Sequence, residues 1–430
     1  MKFFKLKFSL KDSWIKNNMD LPFFLILCLI LSIGLVMLLS SSYFYSFYNT
    51  DDHDSLHYFK KQLGFVLAGL VIMYAISKFD YKNLVHLAGF AMFVAASLLC
   101  VALLLPSQNG IRRWINIGPV QFQPSEVAKF ALIMFLARGL DRDYKKMIST
   151  KLSRAKIAQK LYEYTGGKVF LTQGSTTLIA YFLFVMVIAA LVMAGSHLSG
   201  TLLIIGIGIV MLWLGEGRAR WFIIGGIIGV ILIIIAINKC EEIPILKDYM
   251  ADRIKAWLDK DFDPKGKRWQ TNQSLYAIGS GGFFGAGLGN SKEKYLYVSE
   301  PQNDFIFAIV SEELGFIGAT LIILLYAALI CRGIMIGMHS RDRFGTLLAF
   351  GMVFQLGLQV ALNIAVVTDT VPNTGIGLPF FSYGGSSMLI CLAEMGVVLS
   401  VSRQANMPKV YTFKKSKASQ KRVASEISGE

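Results

Sequence analysis

The chain of 430 residues is apolar, since 54% of its residues are hydrophobic and only 17% are charged. Soluble domains carry about 25% charged residues, so this composition excludes an ordinary soluble protein and predicts a polytopic membrane domain. The formal charge of +15 fits either nucleic acid or an anionic membrane surface. Because the basic residues crowd between apolar runs and into both tails, the membrane interpretation is favoured and no nucleic-acid partner is expected.

Apolar runs of membrane-spanning length predict an all-α polytopic membrane protein with about ten transmembrane helices and a large loop before the eighth. In chain order the runs are 22–44, 62–78, 83–105, 124–140, 174–195, 199–214, 220–238, 305–331, 344–364 and 383–401. The run 124–140 is the least apolar, because it contains Glu126, Lys129 and Arg138. Such a helix must face protein or a water-filled cavity.

The distribution of lysine and arginine predicts the orientation. The tails 1–21 and 402–430 are basic, as is the segment 141–173. Positive residues accumulate on the cytoplasmic side of membrane proteins, so both termini are predicted to be cytoplasmic. The transmembrane domain 22–401 then places its largest loop, 239–304, outside the cell; long loops are exempt from the charge rule.

The first polar stretch, 110–130, lies between the third and fourth spans. Its candidate binding residues are Arg112, Arg113, Gln123, Ser125, Glu126 and Lys129. One interpretation is structural, with arginines that extend to the interface and a Pro-Ser pair that starts a helix. In the other, the acidic and basic residues one turn apart in a membrane helix are functional, because ionisable groups are costly there. That alternative predicts an anion-binding, water-filled cavity open to the outside.

The second polar stretch runs from 269 to 304. The glycines between 279 and 289 follow no predicted strand, so they predict a tight loop rather than a dinucleotide site, and no organic cofactor is expected. Asp304 directly precedes an apolar run. It is either a helix N-cap or a functional carboxylate at the mouth of the next span, and both roles are compatible.

Three glutamates lie inside predicted spans, namely Glu312, Glu313 and Glu394. A charge in the hydrocarbon core costs about 2.5–3.5 kcal/mol even on the lenient insertion scale, so these side chains are expected to pair inward. The cations available to Glu312 and Glu313 are Lys129, Arg112 and Arg113.

The third polar stretch, 363–387, begins with Asn363 and contains prolines and glycines within apolar sequence. This pattern is typical of a broken or re-entrant segment beside a cavity. Its hydroxyl and backbone N–H groups suit a phosphate or a sugar. The candidate residues are Ser382, Tyr383, Gly384, Gly385 and Ser386. The alternative role of these small residues is helix packing.

Four motifs in this order resemble the SEDS family (shape, elongation, division and sporulation), of FtsW, RodA and SpoVE type. They are G-x-R-R-W-I…Q-P-S-E-x-A-K over 110–129, Q-S-L…D-F-I-F over 273–307, E-E-L-G over 312–315 and P-F-F-S-Y-G-G-S over 379–386. The likeness covers nearly the whole membrane region and looks closer to the FtsW branch than to RodA. The sequence departs from the usual family pattern at Ser299, Asn303, Asp369 and 197–200.

The resemblance implies a ten-helix peptidoglycan glycosyltransferase of the bacterial cytoplasmic membrane. Such an enzyme polymerises lipid II at the outer face, here for septal wall synthesis, with a class B penicillin-binding protein and other divisome membrane proteins. Asp304 would be the essential carboxylate and Lys129 its ion-pair partner, which would keep Asp304 ionised. The expected substrate-binding residues are Arg112, Arg113, Gln123, Ser125, Glu126, Gln273, Ser382, Tyr383, Gly384, Gly385 and Ser386, and the expected cavity residues are Glu312, Glu313 and Asn363.

Two roles remain open for Asp304: general base, or ligand of a divalent cation such as Mg²⁺ or Mn²⁺. Two other function classes also remain open. Charged residues within spans and broken segments are equally typical of a transporter, here a lipid II flippase. A non-catalytic divisome scaffold would need the outer loops but not the carboxylate.

Overall fold

The structure is a computed structural model. It describes residues 18–50, 52–106, 112–117, 120–165, 171–216, 251–266, 268–295 and 297–405. Within these ranges the chain is helical apart from its connections and a short antiparallel hairpin of β1 (Ile115–Ile117) and β2 (Val120–Phe122). The helices are α1 (Leu21–Asn49), α2 (His57–Lys78), α3 (Leu84–Leu104), α4 (Pro124–Arg142), α5 (Tyr144–Met147), α6 (Lys156–Tyr164), α7 (Gln173–Ala194), α8 (Leu198–Glu216), α9 (Ala251–Leu258), α10 (Trp269–Gly281), α11 (Ile306–Met338), α12 (Arg343–Val367) and α13 (Gly385–Ala405).

The predicted fold class is confirmed. In the described ranges, 8 helices are long and apolar enough to cross a membrane, so the protein is a multi-pass membrane protein. The predicted span 124–140 is also helical, as α4, and it packs against α3, α8 and α12. Most of its side chains are buried, which explains how a helix with Glu126 and Lys129 is accommodated. The predicted span 220–238 lies outside the described residues, as do most of both tails.

The connections that carry the candidate residues lie at one end of the bundle, because consecutive long helices alternate in direction. The described residues of this end, hereafter the site end, are 50, 52–56, 105–106, 112–117, 120–123, 195–197, 251–266, 268–295, 297–305 and 368–384. Contacts between distant segments hold it together. Ser382 Oγ, for example, donates to the carbonyl of Asn303 at 2.7 Å.

Helix α11 is broken at Gly315, whose φ of 67° and ψ of −173° are not helical. The part before the break is almost entirely buried, whereas Phe316 and Leu321 after the break are exposed on the outside of the bundle. The part 316–338 is about 34 Å long at 1.5 Å per residue, close to the thickness of a bilayer core. The break therefore separates a protein-embedded section from the membrane-spanning section.

A glycine-rich loop closes this break. The N–H groups of Ala286 and Gly287 donate to the carbonyls of Glu312 and Glu313, at 2.9 and 3.0 Å. Helix carbonyls that lose their partners at the break are thereby satisfied. The predicted tight loop is thus the partner of a kinked helix.

We expect Gly315→Ala to destabilise the protein by about 1–3 kcal/mol, because alanine is strained at this backbone conformation. An added Cβ would also lie 2.3 Å from the backbone nitrogen of Gly285. Gly279→Ala in α10 is the matched control, since nothing lies within 4 Å of its added Cβ. It is expected to be neutral or stabilising by about 0.5–1 kcal/mol. Thermal unfolding of the purified proteins measures both, and equal midpoints would contradict the expectation.

Candidate functional site

Asp304 lies at the site end, immediately before α11. The N-cap of this helix is Phe305, and no side chain caps it, so the alternative role of Asp304 as N-cap is wrong. The Asp304 carbonyl accepts a hydrogen bond of 2.8 Å from Asn363 Nδ2, which also donates to the Ile376 carbonyl at 2.7 Å. Asn363 therefore positions the backbone of Asp304 and leaves the carboxylate available.

The surroundings of this carboxylate set its basicity. Burial raises the pKa of Asp304 to about 6; the charges of Arg113 and Arg253 oppose this shift, and the charge of Glu300 adds to it. One carboxylate oxygen also lies 3.2 Å from the position that a Cβ on Gly375 would take, so glycine keeps this side open. The carboxylate is thus mainly ionised at neutral pH, yet more basic than an ordinary aspartate.

The predicted ion pair between Lys129 and Asp304 is wrong. Lys129 is buried, and its Nζ binds Glu126 Oε1 at 2.9 Å and Gln359 Oε1 at 3.2 Å. The physical reason is local, because Glu126 lies one helical turn earlier on the same face of α4. Arg113 and Arg253, rather than Lys129, are the cations that favour the ionised form of Asp304.

A column of amide side chains on α12 contacts Lys129, Glu394 and the backbone of Asp304. Gln355, Gln359 and Asn363 are spaced by four residues and therefore lie on one face. Gln355 Nε2 donates to both carboxylate oxygens of Glu394, at 2.8 and 3.0 Å. Gln359 Nε2 donates to the Gly377 carbonyl at 3.2 Å. The sequence interpretation did not include Gln355 or Gln359, although amides at a spacing of four in an apolar run would have been the signal.

A second cluster lies where α4 and α8 begin. Ser125 Oγ is 3.1 Å from His197 Nδ1, and Gln123 Nε2 is 3.3 Å from His197 Nε2. The N–H of Gln123 donates to Ser386 Oγ at 3.3 Å. Burial, with a contribution from the charge of Arg113, lowers the pKa of His197 to about 3, so its imidazole is neutral at physiological pH. His197 was noticed in the sequence only as a departure from the family pattern.

The two predicted arginines differ in their surroundings. Arg112 is exposed, and its Nη1 donates to the Leu103 carbonyl at 3.3 Å. The Nε of Arg113 is buried and has no hydrogen-bond partner in the described part of the chain. The charge of Arg113 acts on both His197 and Asp304, so this guanidinium connects the two parts of the site.

The predicted segment 382–386 is hydrogen-bonded to other segments of the protein. Its contacts run from Ser382 Oγ to Asn303 O (2.7 Å), from Tyr383 N to Gln302 O (2.8 Å) and from Gly384 N to Gln62 Oε1 (3.2 Å). At Gly385 an added Cβ would lie 2.6 Å from the Phe65 ring. These contacts support the packing interpretation, because they brace the loop that carries Asp304. Phosphate or sugar binding by this segment stays a prediction, as does substrate binding by Gln273, which is buried on α10.

The predicted partners of Glu312 and Glu313 are wrong. Glu313 Oε1 binds Lys294 Nζ at 2.8 Å and accepts a hydrogen bond from Ser40 Oγ at 2.7 Å. Glu312 accepts a hydrogen bond from Ser291 Oγ. The glycine-rich loop that folds over the α11 break supplies Ser291 and Lys294. The cations expected from sequence, Lys129, Arg112 and Arg113, are not part of this cluster.

The short helix α9 is fastened beside Asp304. Arg253 Nη1 donates to the Asn373 carbonyl at 2.9 Å, and Trp257 Nε1 donates to the Asp369 carbonyl at 3.1 Å. The Asp369 carboxylate binds the buried Arg268 Nη2 at 2.6 Å. These contacts hold Arg253 where its charge acts on Asp304. Asp369 was noticed in the sequence as a departure from the family pattern, whereas the others were not predicted.

We expect Asp369→Asn to loosen α9, because it leaves the Arg268 guanidinium buried without its carboxylate partner. Hydrogen bonds to charged groups contribute about 1.5–3 kcal/mol, so hydrogen exchange within 251–258 is expected to become about tenfold faster or more. Hydrogen exchange with mass spectrometry measures this. Asp261→Asn, an exposed carboxylate on the same loop, is the control. Unchanged protection of α9 in the first variant would show that the pair does not hold this helix.

Known proteins of one family are similar to this chain over most of its length. The family described as cell cycle protein, that of FtsW, RodA and SpoVE, matches residues 20–407. Stage V sporulation protein E of Bacillus subtilis strain 168 is 38% identical over 392 residues, which cover 90% of this chain and 98% of that protein. A probable peptidoglycan glycosyltransferase FtsW of Trichlorobacter lovleyi is 33% identical over 387 residues, which cover 89% of this chain and 93% of that protein.

Solved structures show a similar fold. A chain from work on the structural coordination of polymerization and crosslinking by a peptidoglycan synthase complex superposes with a TM-score of 0.68 and 24% identity, over 91% of this chain and 99% of that chain. The rod shape determining protein RodA of Thermus thermophilus superposes with a TM-score of 0.61 and 23% identity, with the same coverage. These likenesses confirm the arrangement of helices.

Proposed function

The chain belongs to the cell cycle protein family of FtsW, RodA and SpoVE, and from this membership we propose that it is a peptidoglycan glycosyltransferase that polymerises lipid II. Relatives with 33% and 34% identity are named as probable glycosyltransferases of this kind. The observation that carries the proposal is the Asp304 carboxylate, whose pKa burial raises to about 6 beside the charges of Arg113 and Arg253. A base and anion-binding groups are the components that this transfer needs.

In the proposed reaction, Asp304 accepts the proton from the 4-hydroxyl of the acceptor's N-acetylglucosamine. The resulting oxygen attacks C1 of the donor's N-acetylmuramic acid and forms the new glycosidic bond, with inversion at C1. The bond from C1 to the diphosphate oxygen breaks, and undecaprenyl diphosphate leaves with the electron pair. Arg113 and Arg112 stabilise the negative charge that develops on the diphosphate.

The proposed orientation places the site end at the outer face of the bacterial cytoplasmic membrane and both termini in the cytoplasm. Its support is the basic composition of both tails and of 141–173. The proposed process is septal wall synthesis, which draws on the likeness of the segments 35–41 and 380–387 to the FtsW branch. The proposed partners are a class B penicillin-binding protein and other divisome membrane proteins, in line with the synthase complex among the structural neighbours.

A divalent cation, Mg²⁺ or Mn²⁺, fits this site only with help from the substrate. The described residues contain no cluster of three or more protein ligands for a metal. In the alternative role of Asp304, its carboxylate and that of the neighbouring Glu300 would hold the ion together with diphosphate oxygens, as is usual for Mg²⁺. The ion would neutralise charge on the diphosphate. Chelation with EDTA distinguishes the two roles: loss of polymerisation that added Mg²⁺ or Mn²⁺ restores would favour the metal ligand, and full activity in EDTA would favour the general base.

The test of the proposed function is glycan-strand formation from purified lipid II by the reconstituted protein, with and without its class B penicillin-binding protein. We expect the wild-type protein to form strands, and we expect strand formation not to require the transpeptidase activity of the penicillin-binding protein. Absence of strands under every condition, with lipid II instead crossing the vesicle bilayer, would overturn the proposal in favour of a transporter. If the protein neither forms strands nor moves lipid II across the bilayer, the non-catalytic scaffold is the remaining function.

A further inference from the structure

The connection between α4 and α7 lies at the end of the bundle opposite to the site end. Its first part is tied to the beginning of α7, a helix that is long and apolar enough to cross the membrane. The Ser153 N–H donates to the Leu171 carbonyl at 2.9 Å, and the Gln173 N–H donates to the Lys151 carbonyl at 2.9 Å. Because a spanning helix begins close to the bilayer surface, these bonds hold residues 151–153 at the level of that surface.

Helix α6 begins just after this tie. The Ala155 N–H donates to Ser153 Oγ at 3.2 Å and so bends the chain directly before the helix. An extended chain covers at most about 3.6 Å per residue, so Lys156, the first residue of α6, lies within about 11 Å of Ser153. The start of α6 is therefore close to the membrane surface.

The sequence of α6 is amphipathic. Three apolar positions share one face at helical spacing, namely Ile157, Leu161 and Tyr164. Three polar positions share the other face, namely Gln159, Lys160 and Glu163. The Ile157 and Tyr164 side chains are 81% and 91% exposed. A short helix with such a face lies in the membrane surface, where its apolar side chains enter the boundary between head groups and acyl chains.

The charge around α6 indicates which lipid surface it fits. Residues 143–165 contain six lysines and arginines against two acidic residues. Lys151, Arg154 and Lys160 are exposed. Each basic side chain near an anionic lipid surface strengthens binding by about fivefold. An acidic segment of another protein would match the charge equally well, but the tie to α7 places α6 beside the bilayer that surrounds its own chain, so lipid is the favoured partner.

We propose that α6 is an interfacial helix that binds the anionic lipid surface at this end of the protein. Ile157 and Tyr164 enter the boundary between head groups and acyl chains, and the basic side chains of the connection contact the anionic head groups. The helix thereby fixes the ends of α4 and α7 relative to the membrane. This inference is independent of the proposed reaction, because α6 and the site lie at opposite ends of the bundle.

The test is hydrogen exchange with mass spectrometry on the full-length protein in nanodiscs. One set of nanodiscs contains phosphatidylcholine alone, and the other also contains about one part in three of phosphatidylglycerol. We expect residues 156–164 to exchange at least about tenfold more slowly with phosphatidylglycerol, which is the effect of two or more basic side chains at the lipid surface. Because the sample contains no other protein, slower exchange reports lipid contact. Equal exchange in the two lipid compositions would overturn the proposal.

A matched pair of variants tests the apolar face. Ile157→Ser removes an apolar side chain from this face, and Gln159→Ser places the same residue on the polar face. Both positions are exposed, so both variants are expected to fold, and unchanged exchange within α7 verifies this. We expect Ile157→Ser to lose the slow exchange of α6 and Gln159→Ser to keep it. Equal exchange of α6 in the two variants would overturn the proposal, because the apolar face would then not enter the bilayer.

A second variant tests the charges. Arg154→Gln combined with Lys160→Gln removes two positive charges at exposed positions. It is expected to remove most of the difference in α6 exchange between the two lipid compositions. High salt should have the same effect on the wild type, because it shortens the distance over which the charges act. If the double variant responds to phosphatidylglycerol as the wild type does, the basic side chains do not bind the lipid surface and the proposal is wrong.

Discussion

Replacing Asp304 with asparagine is expected to lower glycan-strand formation by about 10²- to 10⁴-fold, which is the usual contribution of a general base. The amide keeps the shape of the side chain but does not accept the proton. The backbone contact with Asn363 is unaffected, because it uses the main-chain carbonyl of Asp304. Strand formation from lipid II measures the loss, and Asp261→Asn on the same loop is the control.

The pH dependence gives a second readout of the same residue. Because burial raises the pKa of Asp304 to about 6, activity is expected to fall as the pH drops below about 6. Glu300→Gln is expected to move this acidic fall in activity to lower pH, since the charge of Glu300 raises the pKa of Asp304. If the activity of Glu300→Gln falls at the same pH as that of the wild type, Asp304 is not the general base. Full activity of a well-folded Asp304→Asn variant would contradict this role as well.

Stability should change in the opposite direction to activity. The pKa of Asp304 is raised in the folded protein from 3.8 to about 6, so the folded state binds the proton more tightly than the unfolded state. The contribution of this carboxyl to folding is therefore most favourable at low pH and is lost as the pH rises to about 6. At pH 7.5, Asp304→Asn removes a charge that burial disfavours, so a higher thermal midpoint is expected.

Replacing Lys129 with methionine is expected to cost about 3–5 kcal/mol of folding free energy, because it leaves the Glu126 carboxylate buried without its cation. Lys129 and Glu126 are 1% and 5% exposed, so water cannot substitute for the lost partner. Activity should fall with the folded fraction. Lys60→Met is the control, since Lys60 pairs with Asp54 at the surface and such pairs contribute about 0–1 kcal/mol.

The double variant Lys129→Met with Glu126→Gln separates stability from chemistry. Replacing a buried pair by neutral groups usually recovers the stability lost by removing one partner, so its thermal midpoint should return close to wild type. If Lys129 also acts on the substrate, the double variant is inactive in glycan-strand formation even though its thermal midpoint is restored. A single Lys129→Met variant with the wild-type midpoint would show that the pair is not needed for folding.

The helices were predictable from sequence because each span is marked by its own run of apolar residues. A run of about 20 apolar residues must cross a bilayer as a helix, since no water is present to satisfy the backbone. Even α4 was recognised, because Glu126 and Lys129 indicated that it had to be surrounded by protein. The break at Gly315 was not predicted, because it depends on the loop around Gly285, far away in sequence.

The ionisable residues inside the spans were recognisable from sequence, but their ion-pair partners were not. Ionisable groups are costly in apolar sequence, so Glu126, Lys129 and Glu313 could be singled out without a structure. Which carboxylate meets which cation is a matter of distance, and the structure assigns Glu126 to Lys129 and Lys294 to Glu313. The interaction energy of two charges depends on the distance between them, so the charges alone do not identify which residues pair.

The sequence by itself determined the class of the protein, the helical character of its apolar runs within the described ranges, and the carboxylate just before α11. These features are local, because composition and apolar length act within one segment. Only the tertiary structure decided that the charges of Arg113 and Arg253 act on Asp304 and that α12 carries a column of buried amides. Such features arise where segments distant in sequence come within a few ångströms, and a linear pattern does not record those distances.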